Sequence, residues 1–96
     1  MSPYKKRKLN ILRRKLDILD NSFIKLIKKR TKLVERVLEL KEFKYQIVDK
    51  KRIKTILKNV RKKSIKSNID PVVTKRIWRN MIWSYIDFEK RNFKKK

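Results

Sequence analysis

Apolar residues recur along the first part of the chain at steps of four and three. Leu12, Leu16, Leu19, Phe23, Leu26, Leu33, Val37 and Leu40 share one register, and Arg30 occupies a place in it. This is a stripe of helical period kept over four heptads. No Pro or Gly falls between Lys8 and Phe43. The stretch therefore predicts one helix of about 36 residues, roughly 54 Å long at 1.5 Å per residue.

After a short loop from Lys44 to Val48, Asp49 is placed to cap a second helix. Ile53, Ile56, Leu57, Val60 and Ser64 line one of its faces. Lys66-Ser67-Asn68 forms a polar break, and Asp70-Pro71 opens a third helix with a cap and a Pro at the first helical position. The stripe of that helix is Trp78, Met81, Ile82, Tyr85 and Glu89. The elements predict an all-α, three-helix chain forming a single domain over residues 1–96, with basic ends at 1–7 and 92–96 expected to be mobile. Two shorter helices cannot cover a first helix of that length. Its leftover stripe predicts a two-fold homodimer, the plainer reading being a helical hairpin with a frayed, overlong first helix.

Composition removes most chemistries. The chain has no Cys and no His, so thiolate metal sites, a Cys nucleophile and an imidazole base are excluded. It has no Gly, so no Gly-rich phosphate loop can form. Apolar runs are far too short for a membrane span, and the N-terminus does not read as a secretory signal. A cytoplasmic location is expected. Lys and Arg number 32 against 9 Asp and Glu, a net charge of +23. Such a charge suggests nucleic acid. The lysines are nevertheless spread along the whole length, as an AT-rich coding sequence would impose, so the linear sequence disfavours a nucleic-acid partner.

Five residues break the pattern. Arg30 sits on the apolar seam, and no Asp or Glu lies three or four residues away. A buried guanidinium needs an anion, either a carboxylate from another helix or a ligand. Lys41 follows eleven residues later on nearly the same face, about 16 Å along the axis. It reads as a cation suited to a helix end or as a second arm toward a small anion. Arg13 precedes Arg30 by about 25 Å of helix. In an antiparallel dimer crossing near Asn21 or Ser22 it would approach Arg30 of the other chain, giving a shared pocket. Arg52, in the first turn of the second helix, opposes the helix dipole, which an anionic ligand would resolve. Glu89 continues the apolar line of the third helix four residues after Tyr85, and its plain reading is a partner for a nearby Lys or Arg.

In order and spacing, these residues resemble the all-helical chorismate mutase family from about Leu9 to Glu89. The matching positions are Leu12-Arg13, Leu16-Asp17-Ile18-Leu19-Asp20, Arg30, Leu33-Val34 and Lys41. Asp49-Lys50-Lys51-Arg52 is similar to the family's Asp-x-x-Arg opening of helix 2, and Asn68-Ile69-Asp70-Pro71 looks like its linker before helix 3. The resemblance implies an intertwined homodimer with two shared active sites. It implies that Arg13 of the neighbouring chain and Arg30 hold the substrate's two carboxylates. Lys41 is similar to the Lys that reaches a carboxylate and the ether oxygen of the breaking bond. Arg52 looks like a further carboxylate contact, and Asp49 would meet the ring hydroxyl side through its backbone. The implied reaction converts chorismate to prephenate for aromatic amino-acid synthesis. It is pericyclic and needs no nucleophile, metal or cofactor, which suits a chain without His or Cys.

Three positions depart from the common bacterial mutases. Glu89 stands where many carry Gln, and fungal members resemble this sequence in using Glu. A carboxyl group there donates to the ether oxygen only when protonated, which predicts activity falling with rising pH and flattened by Glu89→Gln. Ile53 replaces a Glu that binds the ring hydroxyl, and Tyr85 replaces a small Ser-like residue near a carboxylate. The Lys41–Arg52 loop is also one residue shorter. These last features resemble the isochorismate pyruvate lyase branch, which leaves salicylate and pyruvate. Two alternatives to a mutase therefore stand: a lyase acting on isochorismate, and a basic helical dimer that binds nucleic acid.

Overall fold

The computed structural model describes residues 1–94. Three α-helices follow one another: α1 over Pro3–Leu40, α2 over Lys50–Lys66 and α3 over Pro71–Asn92. A single 3-10 turn, Lys44–Gln46, lies between α1 and α2. No strand occurs among the described residues, so the all-α, three-helix expectation holds. By packing, the chain divides within α1 into two compact units, Met1–Leu33 and the segment from Val34 onward.

The first unit is helix alone. Helix α1 starts at Pro3, inside the segment assigned from sequence to a basic end. Pro at the first helical position forfeits no intrahelical hydrogen bond, and Ser2 caps the turn by accepting from the Lys5 N–H at 3.2 Å. No residue of α1 is buried. The predicted stripe stands open to solvent, with Leu12, Leu16, Leu19, Phe23, Leu26 and Leu33 all more than half exposed. Ile11, Ile18, Ile24 and Ile27 are large, exposed apolar side chains as well.

The second unit holds the core. Ile47, Ile82 and Ile86 are buried, with Leu38, Val48, Ile53, Ile56, Leu57 and Phe93 packed around them. Helix α1 ends at Leu40, short of Phe43, and its last turn tightens as the Lys41 N–H reaches the Leu38 carbonyl at 3.1 Å. The loop expected at Lys44–Val48 is more structured than a linker. The Gln46 side-chain carbonyl accepts from the N–H groups of Glu42 and Phe43, both at 2.8 Å, and folds the loop back on itself. That fold delivers Ile47 to the core at 3 % exposure.

Helix α2 opens as expected, with Asp49 Oδ1 accepting from the Arg52 N–H at 2.9 Å. It closes in a Schellman pattern, the Ile69 N–H reaching the Ser64 carbonyl and the Asn68 N–H the Ile65 carbonyl. Asn68 takes the left-handed conformation at φ 56°, which Asn tolerates better than most residues. Asp70 caps α3 by accepting from the Val72 N–H at 2.9 Å. Helix α3 then packs against α2. Of its predicted stripe, Ile82 and Glu89 are buried and Trp78, Met81 and Tyr85 are half-buried, while Ile86 and Thr74 are buried in addition. The hydroxyls of Ser64 and Thr74, 2.7 Å apart, tie the two helices together in the interior.

Candidate functional site

Lys41 is the first residue beyond α1, and Glu89 lies in the last turn of α3. The fold brings them together across 48 residues of sequence: Lys41 Nζ donates to Glu89 Oε1 at 2.8 Å. The side chains are 18 % and 8 % exposed, so this is an ion pair largely removed from water. In such surroundings the charges interact far more strongly than on an open surface, and each depends on the other for compensation. The plain reading of Glu89, as partner to a nearby cation, matches this contact. Lys41 is not a solvated helix end. Two constraints hold it in place: the tightened last turn of α1 behind it and the Gln46-closed loop ahead of it. Gln46 was not singled out from sequence, because a side chain that accepts from two backbone N–H groups in a loop has no periodic signature.

The other expected site residues of the second unit have varied surroundings. Asp49 is exposed, and its carboxylate is taken up in capping α2. Arg52 lies one turn into α2, exposed, and its guanidinium carries no ion pair among the described residues. The first turn of α2 contains no acidic residue, so Lys50, Lys51 and Arg52 all oppose the positive end of the helix dipole. Tyr85 is half-buried one turn before Glu89 and meets the Phe88 ring edge-on at 6.4 Å. Ile53 is half-buried against the Ile47–Ile82–Ile86 cluster. In the first unit, Arg30 is half-buried on α1 whereas Arg13 is exposed.

A buried carboxylate held at hydrogen-bond distance by an ammonium is a switchable donor–acceptor pair. An incoming anion competes for the ammonium, and a proton on the carboxyl turns it from acceptor to donor. No described helix is long and apolar enough to cross a membrane.

Neither a curated protein nor a solved structure matches the chain. A family model described as chorismate mutase type II matches residues 12–90, a span that begins just before Arg13 and ends just after Glu89. The match takes in α1 from Leu12 onward, the whole of α2, α3 as far as Lys90, the caps that separate them and the meeting of Lys41 with Glu89, and the chain belongs to the chorismate mutase type II family.

Proposed function

We propose that the protein is a chorismate mutase acting as a two-fold homodimer, turning chorismate into prephenate in aromatic amino-acid synthesis in the cytoplasm. The observation that carries this reading is the Lys41–Glu89 pair, sequestered at 2.8 Å and lying inside the family match. A pericyclic rearrangement asks for a compact substrate conformer and for stabilisation of charge building on the ether oxygen. Cations meet both demands. Arg30 and the neighbouring chain's Arg13 hold the substrate carboxylates, and Arg52 adds a further contact. Lys41 exchanges Glu89 for the substrate, presenting its ammonium to a carboxylate and the ether oxygen. Glu89, protonated in the complex, donates to the same oxygen. Asp49 meets the ring hydroxyl side through its backbone, and Tyr85 lies beside a carboxylate. The chain needs no cofactor for this.

The dimer is supported by the stripe of α1. Six large apolar side chains more than half exposed, from Leu12 to Leu33, exceed what a lone soluble helix keeps in water. A second copy of the same stripe is self-complementary under two-fold symmetry.

A second reading, isochorismate pyruvate lyase, is favoured by Ile53. Its packing against the core leaves an apolar group where many mutases set a Glu for the ring hydroxyl. The test is to supply the purified full chain with chorismate and, separately, with isochorismate. Prephenate from the first supports the mutase, and salicylate with pyruvate from the second supports the lyase. Inertness toward both overturns the proposal.

A further inference from the structure

Four of the cations that look scattered in the sequence gather at one place in the fold. Helix α2 carries nine Lys or Arg among its 17 residues and no Asp or Glu. Lys54, Lys58 and Arg61 follow at steps of four and three, so they share one edge of the helix. Lys54 and Lys58 stand at a like-charge spacing that weakens a helix, and no acidic neighbour on α2 offsets it. From α3, Lys75 faces the same edge. Together with Leu57 and Pro71 these four cations line a cavity of about 400 Å³. Its floor is half-buried Leu57 and Pro71, and its rims are exposed ammonium and guanidinium groups. None of the four cations makes an ion pair with a described residue, and no carboxylate is among the lining groups.

We propose that this groove docks the sugar–phosphate backbone of duplex DNA, independent of base sequence. Cations one helical turn apart, about 5–6 Å between their Cβ atoms, form a row that can neutralise successive phosphates. Lys75 supplies the opposite bank. The lining offers no aromatic ring on which an unpaired base could stack and no side-chain acceptor for a ribose 2′-hydroxyl, the two features that favour single strands or RNA. What remains is charge on a helical edge, which is backbone recognition. The site shares no residue with the Lys41–Glu89 pair or its proposed partners and stands independently of the activity.

The test measures binding of the full chain to a mixed-sequence duplex of about 20 base pairs as salt is varied. Four phosphate contacts contribute about −3.6 to the slope of log K against log salt. Replacing Lys54, Lys58, Arg61 and Lys75 together by Gln should remove that contribution. A matched variant with Lys5, Lys6, Arg7 and Lys8 replaced by Gln loses the same charge elsewhere and should keep it. Far-UV circular dichroism monitors helicity. If the fourfold variant fails to fold, Lys54→Gln with Lys58→Gln should lower the slope by about 1.8. Equal losses in the groove variant and the matched variant would overturn the proposal, since net charge alone would then explain binding. So would tighter binding to single strands or to RNA duplex, to an acidic protein segment such as polyglutamate at equal charge, or no binding to DNA by the wild type.

Discussion

Truncating Lys41 to Met removes an ammonium that lies 2.8 Å from a carboxylate only 8 % exposed. At an effective dielectric of about 20, the bare attraction across that 2.8 Å is about 6 kcal/mol. Much of this is offset by the cost of taking both charges out of water. The truncation cost follows a different logic. Glu89 is left as a buried charge with no cation, which typically costs about 3–5 kcal/mol. Lys41 keeps 18 % of its side chain accessible, so the lower end, about 3 kcal/mol, is expected. For a domain of this size that lowers Tm by roughly 12–24 °C. Glu89→Leu leaves the cation instead, and a long Lys side chain can reach water, so its cost is about 1–2 kcal/mol. The double variant replaces the pair with apolar groups and should recover most of the loss, since such replacements are often neutral or stabilising. The assay is urea unfolding followed by circular dichroism, at one fixed chain concentration because association would shift the midpoint. Both single variants and the double variant should be nearly inactive, which separates the pair's effect on stability from its role in turnover. If Lys41→Met lies within about 0.5 kcal/mol of the wild type, the pair behaves as a solvent-screened surface contact, and the reasoning fails.

Other outcomes follow from the proposed reaction and dimer. Arg30→Ala should lower turnover by about 10²–10³-fold, the usual effect of losing one preorganised donor, with helicity retained; steady-state kinetics beside circular dichroism checks this. Arg13→Ala should do the same, and mixing the two variants should restore one good site in each heterodimer; mixtures no more active than their components would count against a shared pocket. Activity should fall as pH rises, because the Glu89 carboxyl must carry a proton to donate. Glu89→Gln should flatten the profile, and a wild-type rate constant from acid to weakly alkaline pH would remove Glu89 as the donor. Leu19→Lys, at a position 56 % exposed in the single chain, should weaken self-association by about 1.5–3 kcal/mol per chain, the worth of one buried leucine; sedimentation velocity would detect the shift toward monomer.

How much was legible in the sequence depended on the range of the interaction involved. The helices and their ends are written locally. The 4–3 spacing from Leu12 to Leu40 made α1, and Asp49 and Asp70 capped α2 and α3 through N–H groups two or three residues away. The order and spacing of Leu12-Arg13, Leu16 to Asp20, Arg30, Leu33-Val34, Lys41, Asp49 to Arg52 and Asn68 to Pro71 together indicated the family, because a pattern of residue types along helices survives without knowledge of contacts. Helix boundaries were less secure: α1 stops at Leu40 because the chain must turn so that Ile47 can enter the core. Nothing in the spacing of residues 44–48 marked Ile47 over its neighbours, and Ile86 was likewise missed beside Ile82.

Local periodicity also left the partnerships of charge undecided. Glu89 is followed closely in sequence by Lys90, Arg91 and Lys94, yet the fold selected Lys41, 48 residues away. The same holds for Lys75, which joins Lys54, Lys58 and Arg61 at one groove only because α2 and α3 pack together. Backbone hydrogen bonds and caps act within a turn of helix, so sequence alone determines them. Pairing between distant side chains depends on where loop closure sets each helix, and only the tertiary structure decides that.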